Sequence, residues 1–189
     1  MLTQSIYLFL SALVLAFVEV QIEGKAGWAS GLPTWTAPDR WYSRLYGKIM
    51  AGKTLTGYHL GIFLFVLLFL HYPLVSADSL NWRSELEILS TFFVFVVFWD
   101  YLWIIINPYY GVWRRRPRLD VWWHKHWWGP WPRDYYFGIL ISWLLIIPLW
   151  RQDEAAIWEW LFNLSVFAVG TLVVLLITEA TRGDVKNGN

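Results

Sequence analysis

A small set of side chains could do chemistry together if the fold brings them to one depth. Glu19 and Glu23 are four residues apart, so in a helix they stack on one face. His59 stands near the start of an apolar stretch, Asp100 lies inside another, and His124 and His126 flank Lys125 in a segment crowded with tryptophan. Carboxylates and imidazoles drawn from several helices of a bundle commonly hold one or two first-row metal ions, so iron, manganese or zinc is the expected cofactor, with these six residues as its ligands. Glu19, Glu23 and Asp100 would repel one another severely in a low dielectric, and a bound cation removes that penalty. Protonation relieves it too, and a protonated cluster suits a proton or ion relay. In an extended segment His124 and His126 point the same way and can share a metal, whereas in a helix only one of them can serve. Glu23, followed by Gly24, could equally close a helix in water. The run Arg114, Arg115, Arg116 and Arg118 suits a lipid headgroup or other anionic substrate, or could neutralise Asp100.

The elements that must position these groups are apolar. Of 189 residues, 57% are hydrophobic and only 15% charged, against about 25% charged in soluble domains. That excludes a disordered chain and a basic-patch nucleic-acid binder. With no cysteine, thiolate metal sites, iron–sulfur clusters and cysteine nucleophiles are excluded as well. Stretches at about 2–20, 55–75, 86–106, 135–150 and 157–178 are each apolar enough for a transmembrane helix, the fourth being short and carrying Pro148. The first has no basic residue ahead of it and no small-residue cleavage site behind it, so it reads as a span rather than a signal peptide. The expected fold is an all-α integral-membrane protein, a single domain over 1–189 with about five transmembrane helices.

Charge placement sets the orientation. With five spans, all of the 15 Lys and Arg residues except Arg83 and Arg151 share one side, which the positive-inside rule makes cytoplasmic. The N-terminus is then outside and the C-terminus cytoplasmic, in a multi-pass protein of a membrane that obeys this rule, as a bacterial plasma membrane does. Two cytoplasmic connections should be ordered at the interface. Residues 36–50 open with Thr-Ala-Pro-Asp, a helix start, and repeat Arg40, Arg44 and Lys48 beside Trp41, Leu45 and Ile49, an amphipathic helix in the headgroup region. Residues 107–134 carry Trp122, Trp123, Trp127, Trp128 and Trp131, and tryptophan favours that interface. Gly57 and Gly61 form a small-xxx-small pair that would admit a neighbouring helix close to His59.

These features point to a metal-dependent integral-membrane enzyme acting on a lipid or other apolar substrate at the cytoplasmic leaflet. The competing readings are a non-catalytic subunit or assembly factor of a larger membrane complex, and a proton or ion pathway. The expected partners are membrane lipids, not nucleic acid; a homo-oligomer or a larger membrane complex stays open. Neither GxSxG, HExxH nor a phosphate-binding glycine loop is present.

Overall fold

The computed structural model describes residues 1–50, 52–110 and 121–187, with side chains described as far as Arg182. Over these residues the chain is mostly helical. Helices α1 (Leu2–Glu23), α2 (Trp41–Ile49), α3 (Gly57–Ser76), α4 (Trp82–Ile106), α5 (Arg133–Trp150) and α6 (Ala155–Asn187) follow in order, with strands β1 (Trp127–Trp128) and β2 (Trp131–Pro132) just before α5. Among the described residues α1, α3, α4 and α6 are long and apolar enough to cross a membrane. The expected fourth segment is helical too, but α5 has only 18 residues and contains Pro148. At 1.5 Å per residue it reaches about 27 Å, and its first turn carries the charged Arg133 and Asp134, the latter bonded to His124 and Lys53.

Helix α4 is the hub. It packs against α1, α3, α5 and α6, and Val94, Phe95, Phe98 and Leu102 are closed off from every side. Ala12 and Ala16 of α1 are fully buried, and their small side chains let that helix approach closely. By contrast α3 and α6 keep Leu68, Tyr72, Val169 and Leu176 on the outside, the apolar exterior that a helix facing lipid tails requires. The Gly57/Gly61 pair does not make a helix contact: a Cβ added at Gly61 would meet nothing within 4 Å. Close approaches lie instead at Gly138 of α5, where an added Cβ would sit 2.6 Å from Val97 of α4, and at Gly170 of α6, where it would sit 2.6 Å from Phe9 of α1.

The end of the bundle away from the acidic cluster is clasped by polar contacts. Asn81 caps α4 by accepting from the backbone N–H groups of Arg83 and Ser84, both at 3.0 Å. His71 Nε2 lies 3.2 Å from Glu85, joining α3 to α4, and Arg83 donates to Asp153 at 2.9 Å, joining α4 to the α5–α6 turn. Hydrogen bonds from Arg83 and from the Ala155 N–H hold the Asp153 carboxyl below the usual carboxylate range. A depressed acid stabilises the fold above its ordinary pKa and loses that contribution as pH falls through the lowered value. Asp153→Asn is therefore expected to flatten the acid limb of the thermal midpoint measured in detergent, slightly, because both partners are solvated. Further in, the Ser90 and Ser142 hydroxyls meet at 2.8 Å and the Trp160 indole donates to Ser142 Oγ at 2.8 Å, which links α4, α5 and α6. Ser142→Ala should cost about 1 kcal/mol, read by unfolding in detergent.

At the other end the described parts of the two connections are ordered, though not as expected. Helix α2 begins at Trp41, not at Thr36. Thr36 instead forms an antiparallel bridge with Thr56, the Ala37 N–H donating to Leu55 O at 2.8 Å and the Gly57 N–H to Trp35 O at 2.7 Å. That pairing holds the Thr-Ala-Pro-Asp stretch extended and delays the helix. Trp41, Leu45 and Ile49 of α2 are exposed, as a face lying on lipid would be. In the second connection Trp127 pairs with Pro132 and Trp128 with Trp131, a short hairpin turning at Gly129-Pro130.

Candidate functional site

Glu19 and Glu23 occupy the last turns of α1, where they are 6% and 8% exposed. After Gly24 the chain turns back through Gly27, Trp28 and Ala29, all at positive φ, and this reversal brings the Ala29 N–H onto Glu23 Oε1. Glu23 is thus a buried, backbone-held carboxylate and not a helix end in water. His59 is the third residue of α3, and Thr56 is the N-cap. The Thr56 hydroxyl accepts from the His59 N–H at 3.2 Å and also meets His59 Nδ1 at 2.8 Å. Trp28 stacks on the imidazole, ring centroids 4.0 Å apart at 17°, so the ring is fixed in plane and tilt. Nε2 is left facing Glu23 Oε1 at 3.9 Å, while the Tyr58 phenol donates to Glu19 Oε1 at 3.3 Å. One ligand atom from each of Glu19, Glu23 and His59 lies within 4.8 Å of the other two, a spacing a single cation can bridge. Ligation at Nε2 needs the proton on Nδ1, with Thr56 as its acceptor, the outer-shell hydrogen bond that orients metal-bound histidines generally.

A second polar network lies beside the first. Asp100 comes from α4, His124 from the connection after Val121, and Asp134 and Tyr135 from the first turn of α5. His124 Nε2 is 2.9 Å from Asp100 Oδ2 and its Nδ1 is 2.8 Å from Asp134 Oδ2. Tyr135 also donates to Asp100 Oδ2 at 2.8 Å, and the Lys53 ammonium reaches Asp134 Oδ2 at 3.2 Å. If both carboxylates are ionised, both ring nitrogens of His124 must donate, which makes the ring an imidazolium. Two cations then balance two anions. The Glu19/Glu23/His59 group contains no such balance within itself.

Both networks open on one cavity of about 570 Å³. Glu19, Glu23, His59, Asp100, Asp134 and Lys53 line its polar end; Phe92, Phe93, Val96, Phe137 and Ile141 line the other, between α4 and α5. Asp100 keeps 28% of its side-chain surface accessible although it lies deep in the protein, because that surface faces the cavity. Tyr46 of α2 also lines it, and burial pushes its phenol up to about 12, so it stays a donor at neutral pH.

Of the residues expected from the sequence, the fold gathers Glu19, Glu23 and His59 into one group and Asp100 with His124 into its neighbour. His126 is placed apart. The chain turns between Val121 and His124, which buries His124 and leaves His126 exposed. Arg114, Arg115, Arg116 and Arg118 lie outside the described residues. Sequence reasoning missed Lys53, Asp134, Tyr135 and Thr56. An aspartate in a first helical turn is favoured by the helix dipole anywhere, and Lys53 counted only as one more cytoplasmic charge, so no local signal separated them from ordinary residues. No family model, no curated protein and no solved structure matches the chain.

Proposed function

We propose that the chain is a metal-dependent integral-membrane enzyme that acts on the head of a lipid-like substrate from the cytoplasmic leaflet, with Glu19, Glu23 and His59 as ligands of one divalent cation. The observation that carries this is the contrast between the two networks. Asp100, His124, Asp134 and Lys53 compensate one another, whereas two buried carboxylates and one imidazole beside them lack the positive charge that their burial requires. Oxygen-rich ligation with one imidazole suits iron(II), manganese or zinc. A cation held by Glu19, Glu23 and His59 would supply Lewis acidity toward a headgroup oxygen or a water, and Asp100, whose Oδ2 accepts from His124 and Tyr135, lines the same cavity beside it. In this reading α5 is a fifth span, the N-terminus is outside, and α2 with the tryptophan hairpin rests in the cytoplasmic headgroup layer. A proton or ion pathway is less well supported, since beyond Glu19 the interior passes into Ala12, Ala16, Val94, Phe95, Phe98 and Phe167.

Elemental mass spectrometry of detergent-purified protein tests the reading, with the Glu19→Ala/His59→Ala variant alongside. Roughly one equivalent of iron, manganese or zinc is expected in the parent protein, lost from a variant that still inserts. Full occupancy in the variant, or a parent that takes up none of these ions after reloading, overturns it.

A further inference from the structure

The polar surface that the cavity offers a ligand is that of an acceptor. Asp100 and Asp134 keep 28% and 40% of their side-chain surface accessible. The donor beside them, Lys53, keeps only 3% and is spent on Asp134 and on the face of Trp28. Asp100 Oδ2 accepts from His124 and Tyr135, while Oδ1 has no hydrogen bond among the described residues. A carboxylate oxygen carries only lone pairs, so whatever meets Oδ1 in the cavity must donate. An acceptor left bare in so apolar a space is costly, which favours an occupant that carries the donor in with it. The apolar half of the cavity continues from the same face of α4. Phe92, Val96 and Asp100 recur every four residues, so the oily wall and the acceptor lie along one line of about 12 Å. At the rim Ile49 of α2 and Phe137 of α5 are 71% and 50% exposed, a mouth suited to hydrocarbon rather than to water.

We infer that this cavity binds a single-chain amphiphile with a neutral, hydroxyl-bearing head, an alcohol or a glycerol monoester, whose O–H donates to Asp100 Oδ1 while its chain lies along Phe92, Phe93, Val96 and Ile141. This names the substrate class of the site proposed above and rests on that reading for its charge balance. A divalent cation cancels Glu19 and Glu23, as Lys53 and His124 cancel Asp100 and Asp134, so the head meets a site without net charge. An anionic head would face the carboxylates, an ammonium would face the cation, and an ether would bring no donor. The volume lies within the ~300–1,000 Å³ of small-molecule sites and admits one chain rather than two.

Glycerol monododecanoate is the probe, with its dimethyl ether, dodecyl phosphate and dodecylammonium as controls. Each is titrated against the metal-loaded full-length protein and counted by native mass spectrometry, in a dimethylamine oxide detergent whose head has no O–H or N–H to compete. One molecule of the monoester is expected to bind saturably, at least about tenfold more tightly than the ether, the phosphate or the ammonium. Asp100→Asn keeps a carbonyl for His124 and Tyr135 and turns an N–H toward the cavity, so the preference for the monoester over the ether should fall to within about twofold. Trp160→Phe, outside the cavity, leaves both affinities unchanged. Equal binding of the ether overturns the inference, as does tighter binding of the phosphate or the ammonium, or a preference that survives Asp100→Asn. If that variant fails to fold, the comparisons on the parent protein decide alone. Metal titration of the same preparations separates the two proposals. A parent that takes up no metal yet prefers the monoester sinks the metal centre and keeps the ligand; metal uptake without that preference does the reverse.

Discussion

His124→Ala is expected to destabilise the protein by about 3 kcal/mol, the low end of the cost of breaking a buried charge pair. Both ring nitrogens are engaged, at 2.9 Å from Asp100 and 2.8 Å from Asp134, so one truncation leaves two carboxylates short of a counter-charge. The low end applies because those carboxylates keep 28% and 40% of their side-chain surface, on the cavity, where water can enter and screen them. Thermal or denaturant unfolding in detergent reads the loss. His126→Ala, two residues along and exposed, should be neutral within about 0.5 kcal/mol. Asp100→Asn combined with His124→Ala should cost clearly less than the two single changes added together, since the second removes the charge that the first strands. Strict additivity would show that the network is not a coupled unit.

The membrane character was legible because it rests on quantities that survive without coordinates, the length of apolar runs and the scarcity of charge. Four of the five expected segments are helices of spanning length and composition. The remaining one, the fourth along the chain, was ambiguous in the sequence for the same reason it is ambiguous in the structure: Pro148 and a polar first turn leave α5 only marginally long. Glu19, Glu23 and His59 stood out because a charge inside an apolar run needs a reason, and two carboxylates at helical spacing share a face. What sequence could not supply was tertiary pairing. That Thr36 would bridge Thr56 and so keep the stretch before α2 extended depends on a strand-like contact between segments twenty residues apart, against a good local helix signal. That His124 would turn inward while His126 turned outward depends on the turn after Val121, within a segment where paired tryptophans flank His124-Lys125-His126 on both sides and so carry no inward or outward pattern.

The dependence of the site on the loop after α1 gives the last expectation, Gly27→Ala, for which a loss of about 3 kcal/mol or more is expected together with, at the proposed metal centre, a ten- to hundredfold weaker affinity for the cation. Gly27 has φ +62°, a conformation that costs an L-residue roughly 1–2 kcal/mol, and an added Cβ would stand 2.2 Å from the Trp123 ring. Trp123 cannot yield easily. It is 2% exposed and packs edge-on against Trp103 and Tyr110, with centroids at 5.3 and 5.9 Å. The loop is equally held on its own side: Asn107 donates to Gly24 O at 2.7 Å, Tyr110 to Lys25 O at 2.6 Å, and Trp122 to Ala26 O at 3.0 Å. Whatever moves to admit the methyl group must therefore shift Ala29, whose N–H holds Glu23, or Trp28, which stacks on His59. Gly61→Ala is the matched comparison. It lies inside α3 with nothing within 4 Å of an added Cβ, so it should be neutral or stabilise by up to about 1 kcal/mol and leave the metal titration untouched. Opposite signs at two glycines on either side of His59, read by unfolding and by metal titration in the same preparations, would tie the left-handed loop to the centre itself; equal effects would mean that the loop merely packs.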